Sequence, residues 1–190
     1  MASERAASPD DDRSALPGTG RTKAIRADCP APLRAHGAST DRAAIESAIP
    51  HRDPFLFVDR IVARDATTIV TQWRVPTDLD LFRGHYPGQP ILPGVILSEF
   101  VFQSGALLLS LPDSVNSGSV PVLARITDAR FKRLVRPGDL VQADVTLEDS
   151  AANARYLSGK VTCDGALVAR LTFTVAILDA QTQVAREHAP

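Results

Sequence analysis

Apolar positions are spread unevenly along this chain. Across residues 95–111 nearly every side chain is apolar, and Glu99 is the only ionisable one. A run of that length predicts a helix, and a helix hydrophobic on all sides is a buried one. Just upstream, residues 83–94 hold three prolines and three glycines, the mark of a tightly turned loop. Pro93 suits the first turn of the helix, where its missing N–H costs nothing.

Around this helix the pattern is that of strands. Residues 55–63 and 67–75 are rich in Val, Ile, Thr and aromatics, with Asp65-Ala66 at the turn between them, and they predict a hairpin. After the helix comes an exposed loop over residues 112–119. Strand composition then recurs at 120–126, 129–134, 140–148, 156–163 and 167–178. Pro137-Gly138-Asp139 and Asp164-Gly165 punctuate them, the second being a strong hairpin signal. A short helix capped by Ser39 or Thr40 precedes the first strands and runs to Ala48. The expectation is α+β: one long apolar helix with an antiparallel sheet curved around it, the hot-dog arrangement, and a second subunit behind it. Pattern alone does not separate that from other α+β folds.

Residues 1–38 are dominated by Ala, Ser, Pro, Arg and Asp and cannot bury enough surface to order, so a disordered extension is expected there. The folded domain is expected over 39–180, with a frayed tail at 181–190. His36 and Cys29 fall in the extension and are read as idle.

Composition narrows the function classes. A net charge of -1 gives no pull toward nucleic acid or membrane, although local basic clusters still count. The apolar helix approaches the lower limit for a membrane span, but Glu99 and Gln103 in its middle argue against one. No apolar stretch follows Met1, so no signal peptide is expected. The two cysteines, Cys29 and Cys163, form no C-x-x-C and suit a reduced, cytoplasmic protein.

The chemistry centres on His85 and Glu99. An isolated carboxylate on an apolar helix is costly to bury without a purpose, and a desolvated carboxylic acid is poised to donate a proton. A neutral imidazole can take one. The first turn of the helix, at Gly94 and Val95, presents N–H groups without intrahelical partners, suited to a carbonyl oxygen that gains charge. Base, acid and oxyanion donor together fit removal of water from a 3-hydroxyacyl compound. Gln103 lies one turn after Glu99 on the same face, where it either orients the acid or satisfies a buried backbone group. Lys132, Arg133 and Arg136 form a basic cluster, either a solvated strand end or a docking site for an acidic protein. His51 and Arg52 are read as packing or subunit contacts, and Trp73 as core.

Three ordered blocks carry a resemblance: Pro50-His-Arg-Asp-Pro-Phe-Leu-Phe-Val-Asp-Arg60, Gly84-His-Tyr-Pro-Gly-Gln-Pro-Ile-Leu-Pro-Gly-Val95 with Glu99 and Gln103, and Ala129-Arg-Phe-Lys-Arg-Leu-Val-Arg-Pro-Gly-Asp139. Together they resemble the (3R)-hydroxyacyl-acyl-carrier-protein dehydratases of FabZ type, over residues 41–179. The resemblance implies a hot-dog fold, His85 as catalytic base, Glu99 as acid, and Gly94 and Val95 at the thioester carbonyl. It also implies a homodimer with each site built across the interface, often three dimers in a hexamer. It implies no metal or redox cofactor, and a substrate carried on the phosphopantetheine arm of acyl carrier protein. Tyr86 stands where the family has phenylalanine, and Arg125 where it prefers a small residue. Phe100, Val101 and Phe102 replace smaller residues, which bears on the room left for an acyl chain. Glu99 itself separates the chain from an isomerising relative that has aspartate there. Two other readings remain: a hot-dog acyl thioesterase, and a non-catalytic hot-dog subunit of a heteromeric dehydratase.

Overall fold

The computed structural model describes residues 42–110 and 119–179. The expected N-terminal extension, C-terminal tail and most of the loop after the long helix lie outside the described residues. A short helix, α1 (Arg42–Ala48), leads into two strands, β1 (Arg60–Arg64) and β2 (Thr68–Arg74). A single turn of 3-10 helix (Asp80–Arg83) precedes the long helix α2 (Gly94–Leu109). Four strands complete the domain: β3 (Ser119–Phe131), β4 (Leu140–Ala151), β5 (Ala154–Cys163) and β6 (Ala166–Asp179). The expected α+β architecture is the one observed.

All six strands join one antiparallel sheet in the order β1-β2-β4-β5-β6-β3. Their side chains alternate between faces, as strand geometry requires. Ile69, Thr71 and Trp73 of β2, Val141, Ala143 and Val145 of β4, Leu157 and Val161 of β5, and Leu171 and Phe173 of β6 are buried. They meet Leu97, Phe100, Val101, Leu107 and Leu108 of α2 in one hydrophobic core. Each such large side chain contributes about 1.5–3 kcal/mol through removal from water. Two buried hydroxyls inside this core satisfy one another, Thr71 and Ser104 lying 2.7 Å apart, and Ser104 also donates to the Phe100 carbonyl.

The sheet approaches α2 very closely at Gly159, where a Cβ would stand 2.5 Å from Cγ1 of Val101. The far end of the helix is held by Arg64, whose Nη2 lies 3.3 Å from both the Leu108 carbonyl and the Ser110 hydroxyl. A cation there complements the negative end of the helix dipole, although burial lowers the affinity of this guanidinium for its proton.

Three expectations need correction. Residues 55–59 are not strand: β1 starts at Arg60, and the Phe57 N–H is taken by the Gln103 side chain at 2.8 Å instead of by a neighbouring strand. The strands expected at 120–126 and 129–134 are one strand, β3, kept continuous by irregularities in its pairing with β6 at Leu123/Arg125 and Ile126/Asp128. Glu99 is not fully enclosed by α2's surroundings, since 22% of its side chain remains exposed. The Asp164-Gly165 turn is as expected, with φ of 49° and 72°, both in the left-handed region a tight hairpin needs.

Candidate active site

The loop between the 3-10 turn and α2 is built to present His85. The Tyr86 carbonyl accepts from the Gln89 N–H at 2.9 Å, closing a turn with Pro87 and Gly88 at its centre. Gly88 has φ 85°, which glycine adopts without strain at this position. The His85 N–H donates to the Leu81 carbonyl at 2.9 Å, and the Leu92 N–H to Val135 at 2.8 Å, so both ends of the loop are fixed. Tyr86 is exposed with φ 55°, and its ring meets the His85 ring edge-on at 4.6 Å.

His85 Nδ1 lies 2.8 Å from the Ile91 carbonyl oxygen. A carbonyl can only accept, so Nδ1 carries the proton and Nε2 keeps its lone pair. The ring is therefore held in the tautomer that makes Nε2 the basic atom.

Glu99 projects from the second turn of α2 and is gripped at one oxygen. Gln103 Nε2 donates to its Oε1 at 3.1 Å and to the Phe55 carbonyl at 2.9 Å, while Gln103 Oε1 accepts from Phe57. The contacts of both alternatives for Gln103 are present: it bonds the backbone of residues 55 and 57 and the Glu99 carboxyl at once. Its own burial is nearly complete, at 1% exposure. The histidine beside Glu99 within the chain is not His85 but His51, with Nε2 at 3.4 Å from Oε1. The sequence pointed to packing or a subunit contact for His51. No local pattern ties it to Glu99, because the two meet only when residues 50–58 pass beneath α2.

At the start of α2, neither Gly94 nor Val95 donates to a backbone carbonyl among the described residues, whereas Ile96 and Leu97 both donate to Pro93. Val95 is exposed. The space a Cβ would fill at Gly94 is taken by the Phe131 ring, 3.1 Å away, so the glycine admits an aromatic side chain of its own chain. Lys132, Arg133 and Arg136 are all exposed, and none forms an ion pair among the described residues.

The substitutions expected to crowd an acyl chain fall in different places. Phe100 is fully buried against Trp73, with ring centroids 5.9 Å apart, and belongs to the core. Phe102 is half-buried and packs on Phe173. Arg125 is exposed on β3. No helix among the described residues is long and apolar enough to cross a membrane.

Residues 62–168 match the ApeI-like family model, described as ApeI dehydratase. The 3-hydroxyacyl-acyl-carrier-protein dehydratase FabZ of Fusobacterium nucleatum is 40% identical over 139 residues, which span 71% of this chain and 95% of that protein. FabZ of Chloroflexus aggregans is 46% identical over 106 residues, 55% of this chain and 72% of its own. Among solved structures, a hot-dog-like protein from Thermanaerovibrio acidaminovorans superposes with a TM-score of 0.55 at 18% identity, covering 66% of this chain and 93% of that one. That likeness identifies the fold as hot-dog. By sequence, the chain belongs to the FabZ-type 3-hydroxyacyl-acyl-carrier-protein dehydratase family.

Proposed function

We propose that this protein dehydrates (3R)-hydroxyacyl groups carried on acyl carrier protein, giving the trans-2-enoyl thioester by syn elimination. The observation that carries the reading is the His85 ring, whose Nδ1 is committed to the Ile91 carbonyl and whose Nε2 is left as a base. Nε2 removes the proton beside the thioester carbonyl. The free N–H groups of Gly94 and Val95 steady the charge that gathers on the carbonyl oxygen. As the carbon–oxygen bond at C3 breaks, Glu99 gives its proton to the departing hydroxyl, which leaves as water. Proton transfer from His85 back to Glu99 resets the site. No redox group takes part in this scheme, since elimination of water changes no oxidation state overall, and the α2 N–H groups polarise the carbonyl without a metal.

His85 and Glu99 form no ion pair within one chain, and β3 suggests how they are brought together. Among the described residues this strand pairs only with β6, and nothing there covers its other edge. Val122, Leu123, Ile126 and Phe131 along it are 39–48% exposed. A long apolar edge is a template for pairing with another chain. In this reading two copies join along β3, each site takes its histidine from one and its glutamate from the other, and three such dimers can assemble further. Lys132, Arg133 and Arg136, just past β3, receive the acidic carrier protein in the cytoplasm, mainly by speeding encounter.

One experiment tests both halves. The protein and its His85→Ala and Glu99→Gln variants are incubated with 3-hydroxyacyl-acyl carrier protein, and loss of water is followed by intact-protein mass spectrometry. Each variant alone should lose about 10²–10⁴-fold in turnover. Mixing the two after dissociation should restore part of it, because one site in a mixed dimer is intact. A variant with full activity overturns the assignment of that residue, and no recovery on mixing overturns the shared site.

A further inference from the structure

Beyond the pair already assigned, we propose that His51 is a positioning residue for Glu99, fixing which carboxyl oxygen carries the transferable proton. This inference rests on the dehydratase reading above.

Three observations converge on it. His51 Nε2 stands 3.4 Å from Glu99 Oε1, with both side chains largely withdrawn from solvent, at 27% and 22% exposure. His51 Nδ1 is buried and has no hydrogen-bond partner among the described residues. The second donor to Glu99, Gln103 Nε2, reaches the same oxygen, Oε1, at 3.1 Å.

The tautomer follows from the orphaned nitrogen. A buried N–H without an acceptor is costly, so the neutral ring carries its proton on Nε2, where an acceptor is available, and leaves Nδ1 bare. The Gln103 amide donates to Oε1, and Nε2–H stands 3.4 Å from the same oxygen, near enough to close on it with a small ring rotation. An oxygen approached by both N–H groups serves as the carbonyl oxygen of the acid form. The acid proton is thereby placed on Oε2, which takes no hydrogen bond among the described residues and is free to face the substrate hydroxyl. The 3.4 Å separation is longer than a settled hydrogen bond, as catalytic contacts often are before substrate binds.

Packing alone does not account for this arrangement. His51 does lie beside Phe55, with ring centroids 6.4 Å apart. A phenylalanine would fill that role as well and would leave no buried nitrogen unpaired. That difference supplies the test. His51→Phe keeps an aromatic ring against Phe55 and removes the donor, whereas His51→Gln keeps an N–H at similar reach.

With 3-hydroxyacyl-acyl carrier protein as substrate, His51→Phe should lower kcat about 10- to 100-fold with KM little changed, the cost of a misaimed group. His51→Gln should recover much of that loss. In a Glu99→Gln background His51→Phe should cost nothing further, since it acts only through the acid. Nitrogen NMR of the His51 ring gives a readout independent of turnover. It should report the proton on Nε2, with a resonance that moves on Glu99→Gln. A folded His51→Phe with unaltered kcat, or a proton on Nδ1, overturns this proposal and leaves the dehydratase reading standing. A wild type that removes no water from short or medium chains overturns that reading, and this one with it.

Discussion

Gly159 is the place where a single methyl group should disturb a site it does not touch. Its Cβ, if present, would lie 2.5 Å from Val101 Cγ1. Carbon atoms in good contact sit about 3.5–4.0 Å apart, so Gly159→Ala asks for relief of roughly 1 Å. The obstructing atom is a short, stiff β-branched side chain on a fully buried stretch of α2, not the end of a flexible one. The helix or β5 must therefore give way. Overpacking of this kind costs about 1–3 kcal/mol, and the lower entropy of an unfolded alanine returns about 0.4–1. The net loss is on the order of 1–2 kcal/mol, which for a chain of this size lowers Tm by about 2–8 °C.

The same displacement carries Glu99, two residues before Val101, and a misplacement of 1 Å near a reacting atom can cost about 10²-fold in rate. Thermal unfolding by circular dichroism and steady-state dehydration together measure both effects. Adding Val101→Ala removes the obstructing methyl. The double variant should be more stable than the two single losses sum to, by about 0.5–3 kcal/mol. An unchanged Tm and kcat in Gly159→Ala, or strictly additive losses in the double variant, would refute the close approach.

Two further outcomes follow from titrating groups. The Asp65 carboxyl is pulled down to about 2 from 3.8 by hydrogen bonds from the Thr68 hydroxyl and the Thr67 and Thr68 N–H groups. A carboxyl depressed on folding stabilises above its unfolded value, and the contribution fades as pH falls from about 4 through about 2. Acid titration of wild type and Asp65→Asn should therefore differ in slope across that window, and parallel curves would count against the turn. Cys163 is pushed up to about 11, by burial first and then by the charges of Asp139 and Asp164. Its alkylation by iodoacetamide at pH 8, followed by mass, should be far slower than that of a free thiol and recover in denaturant. Equal rates would show the thiol to be open.

Much of this fold was legible because it rests on local signals. The unbroken apolar run announced α2, and Asp164-Gly165 announced the β5–β6 hairpin. Where the reading failed, the deciding contact was distant. Residues 55–59 have strand composition, but the Phe57 N–H is claimed by a glutamine side chain on α2. The composition of β3 reads as two strands, yet this strand absorbs irregularities at Leu123/Arg125 and Ile126/Asp128 without losing its partner. At the site, the contact between Glu99 and Gln103 was readable from their four-residue spacing on one helix face. The neighbour of Glu99 was not, because His51 arrives from a segment whose path depends on the finished core.

Gln103 sets a limit on how this protein can change. The same amide that holds the Glu99 carboxyl also ties residues 55 and 57 to α2, so a substitution there that frees the carboxyl also loosens the scaffold. Selection for a new substrate is thus steered away from the acid's support and toward positions without double duty. Phe102, half-buried with its ring packed on Phe173, is one of these. Diversification by mutation should accumulate at such places, while the Glu99–Gln103 turn stays constant through it.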